Sequence, residues 1–166
     1  VTPFLMLVGT NAPYKSVEDL QRAQGIKCSG TAPGAGETIA AAVAADALGL
    51  DMQIVLGFRG GGPVWLAMSK GEIDVCVFPG PGPTQIQIEK GTAKPLFWIA
   101  TETDPYFPDL PALTDIVSVS DEQEKMIDLC GSLIGGKLIL APPGIPEDRL
   151  AFLRKVSDDI AARADF

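Results

Sequence analysis

The sequence predicts an α/β fold built on a mainly parallel sheet, and three observations support this. Ile26–Cys28 reads as the end of a short strand and Met52–Leu56 and Ile73–Phe78 as short, mostly apolar strands, and each leads into a loop rich in Gly and Pro. Each loop then leads into a stretch without such breakers, the rhythm of strand–loop–helix units whose loops gather at the carboxyl ends of parallel strands. The composition, 46% apolar and 20% charged, suits a packed core under a solvated surface.

Taken in order, Phe4–Val8 is a continuous apolar run and reads as a buried strand. Asn11–Lys15 is a turn, and Ser16 caps a helix over Val17–Ala23, with Asp19 in the capping-box position. Ile26–Cys28 ends a strand. Ser29–Gly36 reads as a loop, because Gly30, Pro33, Gly34 and Gly36 break both periodicities. Ile39–Leu48 is rich in Ala and Leu and predicts a helix. The first turn of such a helix carries free N–H groups and a partial positive charge, so this corner can hold a carboxylate or phosphate. The same composition also serves plain turn chemistry. The loop has neither the Lys-Ser/Thr ending of a Walker loop nor a G-x-G-x-x-G with a downstream acid, which argues against nucleotide binding.

Met52–Leu56 is the next strand. Gly57-Phe58-Arg59-Gly60-Gly61-Gly62-Pro63 forms a second strand-to-helix corner, with Pro63 expected as the first helical residue of Val64–Ser69. Arg59 is the best cation for a bidentate contact to a ligand carboxylate, or else a solvated surface arginine. Ile73–Phe78 is a strand, Pro79–Pro83 a third loop, Thr84–Glu89 a helix and Leu96–Ala100 a further strand. The texture changes from Thr101. A proline-rich connection over Asp104–Pro111 precedes a short helix, Ala112–Ile116, and Asp121 is expected to cap the helix Glu122–Leu129. An apolar strand is expected over Leu138–Ala141, then an amphipathic helix over Glu147–Arg163. Its Leu150, Leu153, Val156 and Ile160 recur at helical spacing and read as core.

A chain of 166 residues holds one ordinary domain, or a small domain and part of another. Its net charge of −8 argues against nucleic acid and anionic membrane surfaces as partners. No apolar run reaches the length of a membrane span. Val1 already lies beside the first apolar run, as in a processed or trimmed chain, so the compartment stays open. The chain contains no histidine, the commonest general base and metal ligand. Cys28, Cys76 and Cys130 have no metal-ligand spacing, and Cys76 reads as a core thiol. No metal or cofactor is expected. An α/β enzyme with Ser29 or Cys28 as nucleophile would lack a histidine base, a G-x-S-x-G elbow and paired carboxylates.

Five segments in order give the chain a family resemblance: PFLMLVGTNAPYKSVEDL, SGTAPGAGETIAA, GFRGGGPVWLAMSKGEIDV, EKGTAKPLFWIATETDPYFPDLPALTD and LAPPGIPEDRLAFL. Together they resemble the extracytoplasmic solute receptors of tripartite tricarboxylate transporters, the Bug receptors, over about Phe4 to Arg154. The resemblance implies a type II periplasmic-binding-protein fold, with two α/β lobes around a ligand cleft. On that reading residues 9–95 form the second lobe, and residues 1–8 and 96–166 an incomplete part of the first. The family's long N-terminal portion is absent, which implies a fragment or truncated form.

The implied function is capture of a small carboxylate, without catalysis, for presentation to membrane permease subunits, in the periplasm. A ligand-sensing module of the same fold that signals to a partner is the alternative. The positions matching the family's loops are Ser29, Gly30, Thr31, Gly34, Ala35 and Gly36 in the first. Gly60, Gly61 and Gly62 match the second, with Arg59 where the family commonly has Lys, and Phe78 and Pro79 match the third. Two departures stand out. Pro79 replaces a frequent Asp, and Glu37 puts an acid beside the carboxylate corner, where it would repel a second ligand carboxylate unless it points away or caps the helix.

Overall fold

The computed structural model describes residues 3–80, 82–133 and 140–163. The described strands are β1 (Phe4–Gly9), β2 (Ile26–Gly30), β3 (Met52–Leu56), β4 (Val75–Pro79) and β5 (Ala93–Ile99). The helices are α1 (Val17–Arg22), α2 (Gly36–Leu48), α3 (Gly61–Ser69), α4 (Pro83–Glu89), α5 (Leu113–Ile116), α6 (Asp121–Leu133) and α7 (Glu147–Ala161).

The strands form one mixed sheet in the order β3-β2-β4-β1-β5. β2 runs parallel to β3 and β4, whereas β1 lies antiparallel between β4 and β5, pairing Phe4 with Pro79 on one side and Ile99 on the other. Every residue of β1 is buried. A strand covered on both faces reads as an unbroken apolar run rather than an alternation, as Phe4–Gly9 does. Its side chains still alternate between two cores. Phe4, Met6 and Val8 join Ile26, Ala40, Ala44 and Ile127 on one face, while Leu5 and Leu7 join Trp65, Met68, Cys76 and Trp98 on the other.

Local chemistry sets the helix ends. At α1 the Ser16 hydroxyl accepts from the Asp19 N–H, and Asp19 accepts in return from the Lys15 and Ser16 N–H groups. These backbone donors, that of Lys15 first, hold the Asp19 carboxyl below its ordinary range. The small residues Ala40, Ala41 and Ala44 let α2 lie close on the sheet, and Gly49 ends it in the left-handed region at φ 66°.

Several bounds differ from expectation. β2 takes in Ser29 and Gly30, and α2 starts at Gly36, so the loop between them is shorter than its composition implied. α3 starts at Gly61, which makes Pro63 its third residue. α6 starts at Asp121 and runs to Leu133, because Ser120 rather than Asp121 supplies the cap: its hydroxyl accepts from the Gln123 N–H at 3.3 Å, and Gln123 accepts from the Ser120 N–H at 3.0 Å. Leu140 and Ala141 carry no strand, and the rest of the strand expected at 138–141 lies outside the described residues.

The chain divides into two compact units, Val1–Gly135 and Gly136–Phe166. The sheet thus takes in residues on both sides of the expected 9–95 lobe: β1 lies almost wholly before it and β5 extends past it. In the second unit, no residue of α7 is buried, and Phe152, Leu153 and Ile160 are exposed. The expected core role of this stripe does not hold. The spacing makes one side of α7 apolar but does not specify what covers that side.

Candidate functional site

β2, β3 and β4 run the same way, so the loops after Gly30, Leu56 and Pro79 open at one end of the sheet. Open α/β sheets bind ligands outside the carboxyl ends of their strands. A small cavity of about 30 Å³ lies at this end, lined by Ser29, Gly30 and Thr31 from β2 and its loop, Glu37 from α2, Gly60 and Val64 from the α3 start, and Val77 and Phe78 from β4.

Backbone bonds fix the corner. The Gly57 N–H donates to the Thr31 carbonyl and the Phe58 N–H to the Gly30 carbonyl, both at 3.2 Å, tying the second loop to the first. Gly60 caps α3 with φ 86° and ψ −180°, a conformation that L side chains rarely adopt. A Cβ on Gly61 would stand 3.1 Å from Trp65 Nε1 and 3.5 Å from the Phe78 ring. Trp65 and Phe78 themselves stack with centroids 4.7 Å apart. The glycines therefore let the first turn of α3 lie against this aromatic wall.

The polar wall is formed by Thr31 and Glu37. Thr31 donates its hydroxyl proton to Glu37 Oε1 across the first loop. Glu37 stands in the first turn of α2, whose N-cap, Ala35, offers no side-chain acceptor. A carboxylate there complements the positive end of the helix.

The structure brings Ser29, Gly30, Thr31, Gly60 and Phe78 to the cavity and Gly61 against its aromatic wall. It does not bring the other sequence-predicted positions to the lining. A Cβ on Gly36 would meet the Phe4 ring at 3.1 Å, so the lack of a side chain there serves packing. Gly34 and Gly62 have open space around them. Ala35 is half-buried, and Pro79 is exposed and pairs with Phe4 in the sheet. Arg59 is exposed, one residue before Gly60. Sequence reasoning did not place Val64 and Val77 at the site. Alternation along β4, which puts Val77 and Phe78 on opposite faces, and the i, i+3 spacing of Gly61 and Val64 carry only packing information.

A larger groove of about 830 Å³ runs along the outer side of α2, between β3 and the start of α6. Its floor is apolar, from Ile39, Val43, Ile54, Leu56 and Met126, and it reaches the first glycine-rich corner at Pro33. Thr38, which borders it, has a buried hydroxyl without a hydrogen-bond partner among the described residues.

Cys28 is buried, and its burial pushes the thiol up to about 12. Cys76 is raised well above the ordinary value by burial and then by Cys28, and burial also raises Cys130. A thiol held protonated and out of solvent is a poor nucleophile, which disfavours Cys28 in the enzymatic alternative. All three thiols are free and buried. Their reaction with an aromatic disulfide reagent at pH 8 should be slower in the folded protein than in urea, on the order of 100-fold or more. Rapid labelling of one thiol in the folded protein would contradict this. Among the described residues, no group of three or more His, Cys, Asp or Glu converges as a metal site, and no helix is long and apolar enough to cross a membrane.

No family model matches the chain, and no curated protein matches it in sequence. Solved structures match it in fold. MatC from Rhodopseudomonas palustris, with bound malate, aligns at a TM-score of 0.68 and 20% identity over 99% of this chain and 53% of that one. A TctC solute-binding protein from Polaromonas aligns at 0.61 and 18% identity over 82% of this chain and 53% of that one. A further R. palustris protein, solved with adipate, aligns at 0.61 and 18% identity over 82% and 52%. The chain spans about half the length of these structures. Its α/β architecture is thus the one found in TctC-type solute-binding proteins, as the resemblance in sequence implied.

Proposed function

We propose that this chain is part of an extracytoplasmic receptor that captures a small carboxylate for a tripartite tricarboxylate-type transporter, without catalysing a reaction. The observation that carries the reading is the convergence of three glycine-rich corners at one end of a sheet with the fold of TctC-type proteins. The malate and adipate bound to two neighbours support a carboxylate as ligand. On this reading residues 9–95 belong to one lobe of a hinged receptor, ligand capture precedes lobe closure, and the closed form is presented to permease subunits in the periplasm.

Chemically, the corner offers backbone N–H groups and hydroxyls, and Arg59 stands one residue from its rim. Arg59 is exposed and makes no hydrogen bond or ion pair among the described residues, so its guanidinium is available for a carboxylate. The test is a thermal-shift and calorimetric panel of mono-, di-, tri- and aromatic carboxylates. At least one should raise the melting temperature, and Arg59→Ala should weaken its binding about tenfold, the order expected for a charge-assisted hydrogen bond. The melting temperature of the unliganded variant should stay unchanged. If no carboxylate shifts the folded protein, the receptor reading fails.

A further inference from the structure

Among the described residues, Glu37 is the only charged one lining the cavity at the carboxyl ends of the strands. Thr31 donates its one hydroxyl proton to Glu37 Oε1. That leaves Glu37 Oε2 and the Thr31 lone pairs as acceptors, with no side-chain proton facing a ligand from this pair. Ser29, the other polar side chain of the lining, adds a hydroxyl that can accept or donate, while Val64, Val77 and Phe78 offer no polar side-chain atom. The cavity volume of about 30 Å³ is the space of a single small group.

A negative charge in the first turn of α2 also occupies the position where the helix N-terminus would otherwise favour a ligand anion. A second ligand carboxylate placed here would face a like charge in a half-buried site. A group that donates hydrogen bonds, above all one bearing positive charge, would meet two acceptors and a compensating carboxylate.

Resting on the receptor reading above, we propose that Glu37 sets the ligand class: a carboxylate that also carries an ammonium group, with the ammonium held by Glu37 and Thr31 in this cavity. Val64 and Phe78 then exclude water around the ammonium and strengthen the contact. The ligand carboxylate is left to the backbone donors of the corner and to Arg59.

Succinate, L-malate and L-aspartate differ only in carrying hydrogen, hydroxyl or ammonium at one carbon, so they form the test series. Calorimetry on the protein should rank aspartate tightest, with a Kd at least about tenfold below that of succinate and malate between them, as a charge-assisted contact requires. Glu37→Gln keeps the size of the side chain and an acceptor for Thr31 but loses the charge, and should shrink the aspartate-to-succinate ratio to within about threefold, leaving malate the least affected. Thr31→Val, which removes the hydroxyl but keeps the carboxylate, should retain most of the preference. Both variants are checked for an unchanged melting temperature without ligand; Glu37→Ala replaces Glu37→Gln if the latter misfolds, and the ranking on the unsubstituted protein tests the inference by itself.

Succinate binding as tightly as aspartate overturns the inference and leaves the carboxylate receptor standing. So does malate as the tightest of the three, or a preference for aspartate that survives Glu37→Gln. Failure of every carboxylate, these three included, overturns both readings together.

Discussion

Replacing Trp98 with alanine is expected to cost about 3–5 kcal/mol of stability, the largest loss of any single substitution considered for this protein. The indole is fully buried between the sheet and the connection that follows β5. It makes three kinds of contact there. Its Nε1–H donates to the Phe107 carbonyl at 3.3 Å, its ring meets Phe107 with centroids 5.9 Å apart, and its backbone N–H donates to the Pro111 carbonyl at 2.9 Å. Its far edge fills the space against Gly80, where a Cβ would come within 2.6 Å of two ring carbons. Alanine keeps the backbone bond but leaves a cavity and strips the Phe107 carbonyl of its indole partner. Against a typical domain stability of about 5–15 kcal/mol this leaves a marginal fold. Urea denaturation followed by circular dichroism is the suitable measurement, since Trp98 is one of only two tryptophans and its removal changes the fluorescence signal itself. Trp98→Phe should lose less, because it keeps most of the apolar volume. A loss below about 1 kcal/mol for the alanine variant would mean that the cavity collapses, and that the ring does not hold the connection in place.

Gly30→Ala is expected to cost about 1–3 kcal/mol, although it adds only one methyl group. Gly30 ends β2, and a Cβ there would stand 2.9 Å from Ile54 Cγ2, 2.9 Å from Thr38 Oγ1 and 3.0 Å from Leu56 Cδ2. Two of these atoms belong to the neighbouring strand and one to the helix above, so no single side chain can turn aside to make room. The clash with Thr38 can be isolated. Thr38→Ala removes the hydroxyl that lacks a partner and opens space beside Gly30. In a double-mutant cycle the two substitutions should therefore couple, with Gly30→Ala costing at least about 0.5 kcal/mol less in the Thr38→Ala background. Strict additivity would place the strain on the β3 side chains alone.

Much of this was legible in the sequence, but unevenly. The α/β rhythm and most strand and helix positions follow from apolar runs set between glycines and prolines. The direction of β1 does not, since an unbroken run such as FLMLVG reads identically in a parallel or an antiparallel strand. Gly61 and Gly62 look like loop by propensity, yet they are helical. Packing of Gly61 against Trp65 and Phe78 leaves no space for a side chain there, and tertiary contact overrides the weak local preference. The residues of the first corner were recognisable as a group. What composition could not distinguish was which glycine faces the cavity and which, like Gly36, makes room for a buried ring. Glu37 was visible as an acid in the wrong place for a carboxylate site. Its bond to Thr31 depends on the path of the intervening loop, which no local pattern specifies. The α7 stripe misled because spacing reports amphipathicity, not what covers it.

The antiparallel strand between β4 and β5 also bears on how the chain is made. β1 precedes both of its partners, and its ladders join Phe4 to Pro79 and to Ile99. During synthesis it therefore emerges long before either neighbour. Until β4 and β5 follow, an uncharged six-residue segment without proline has both edges unpaired, the profile of an aggregation-prone sequence. Pairings this distant also raise contact order and slow folding. A holding chaperone acting on the nascent chain would have its most consequential target in Phe4–Gly9, the segment that ends up wholly buried in the finished sheet.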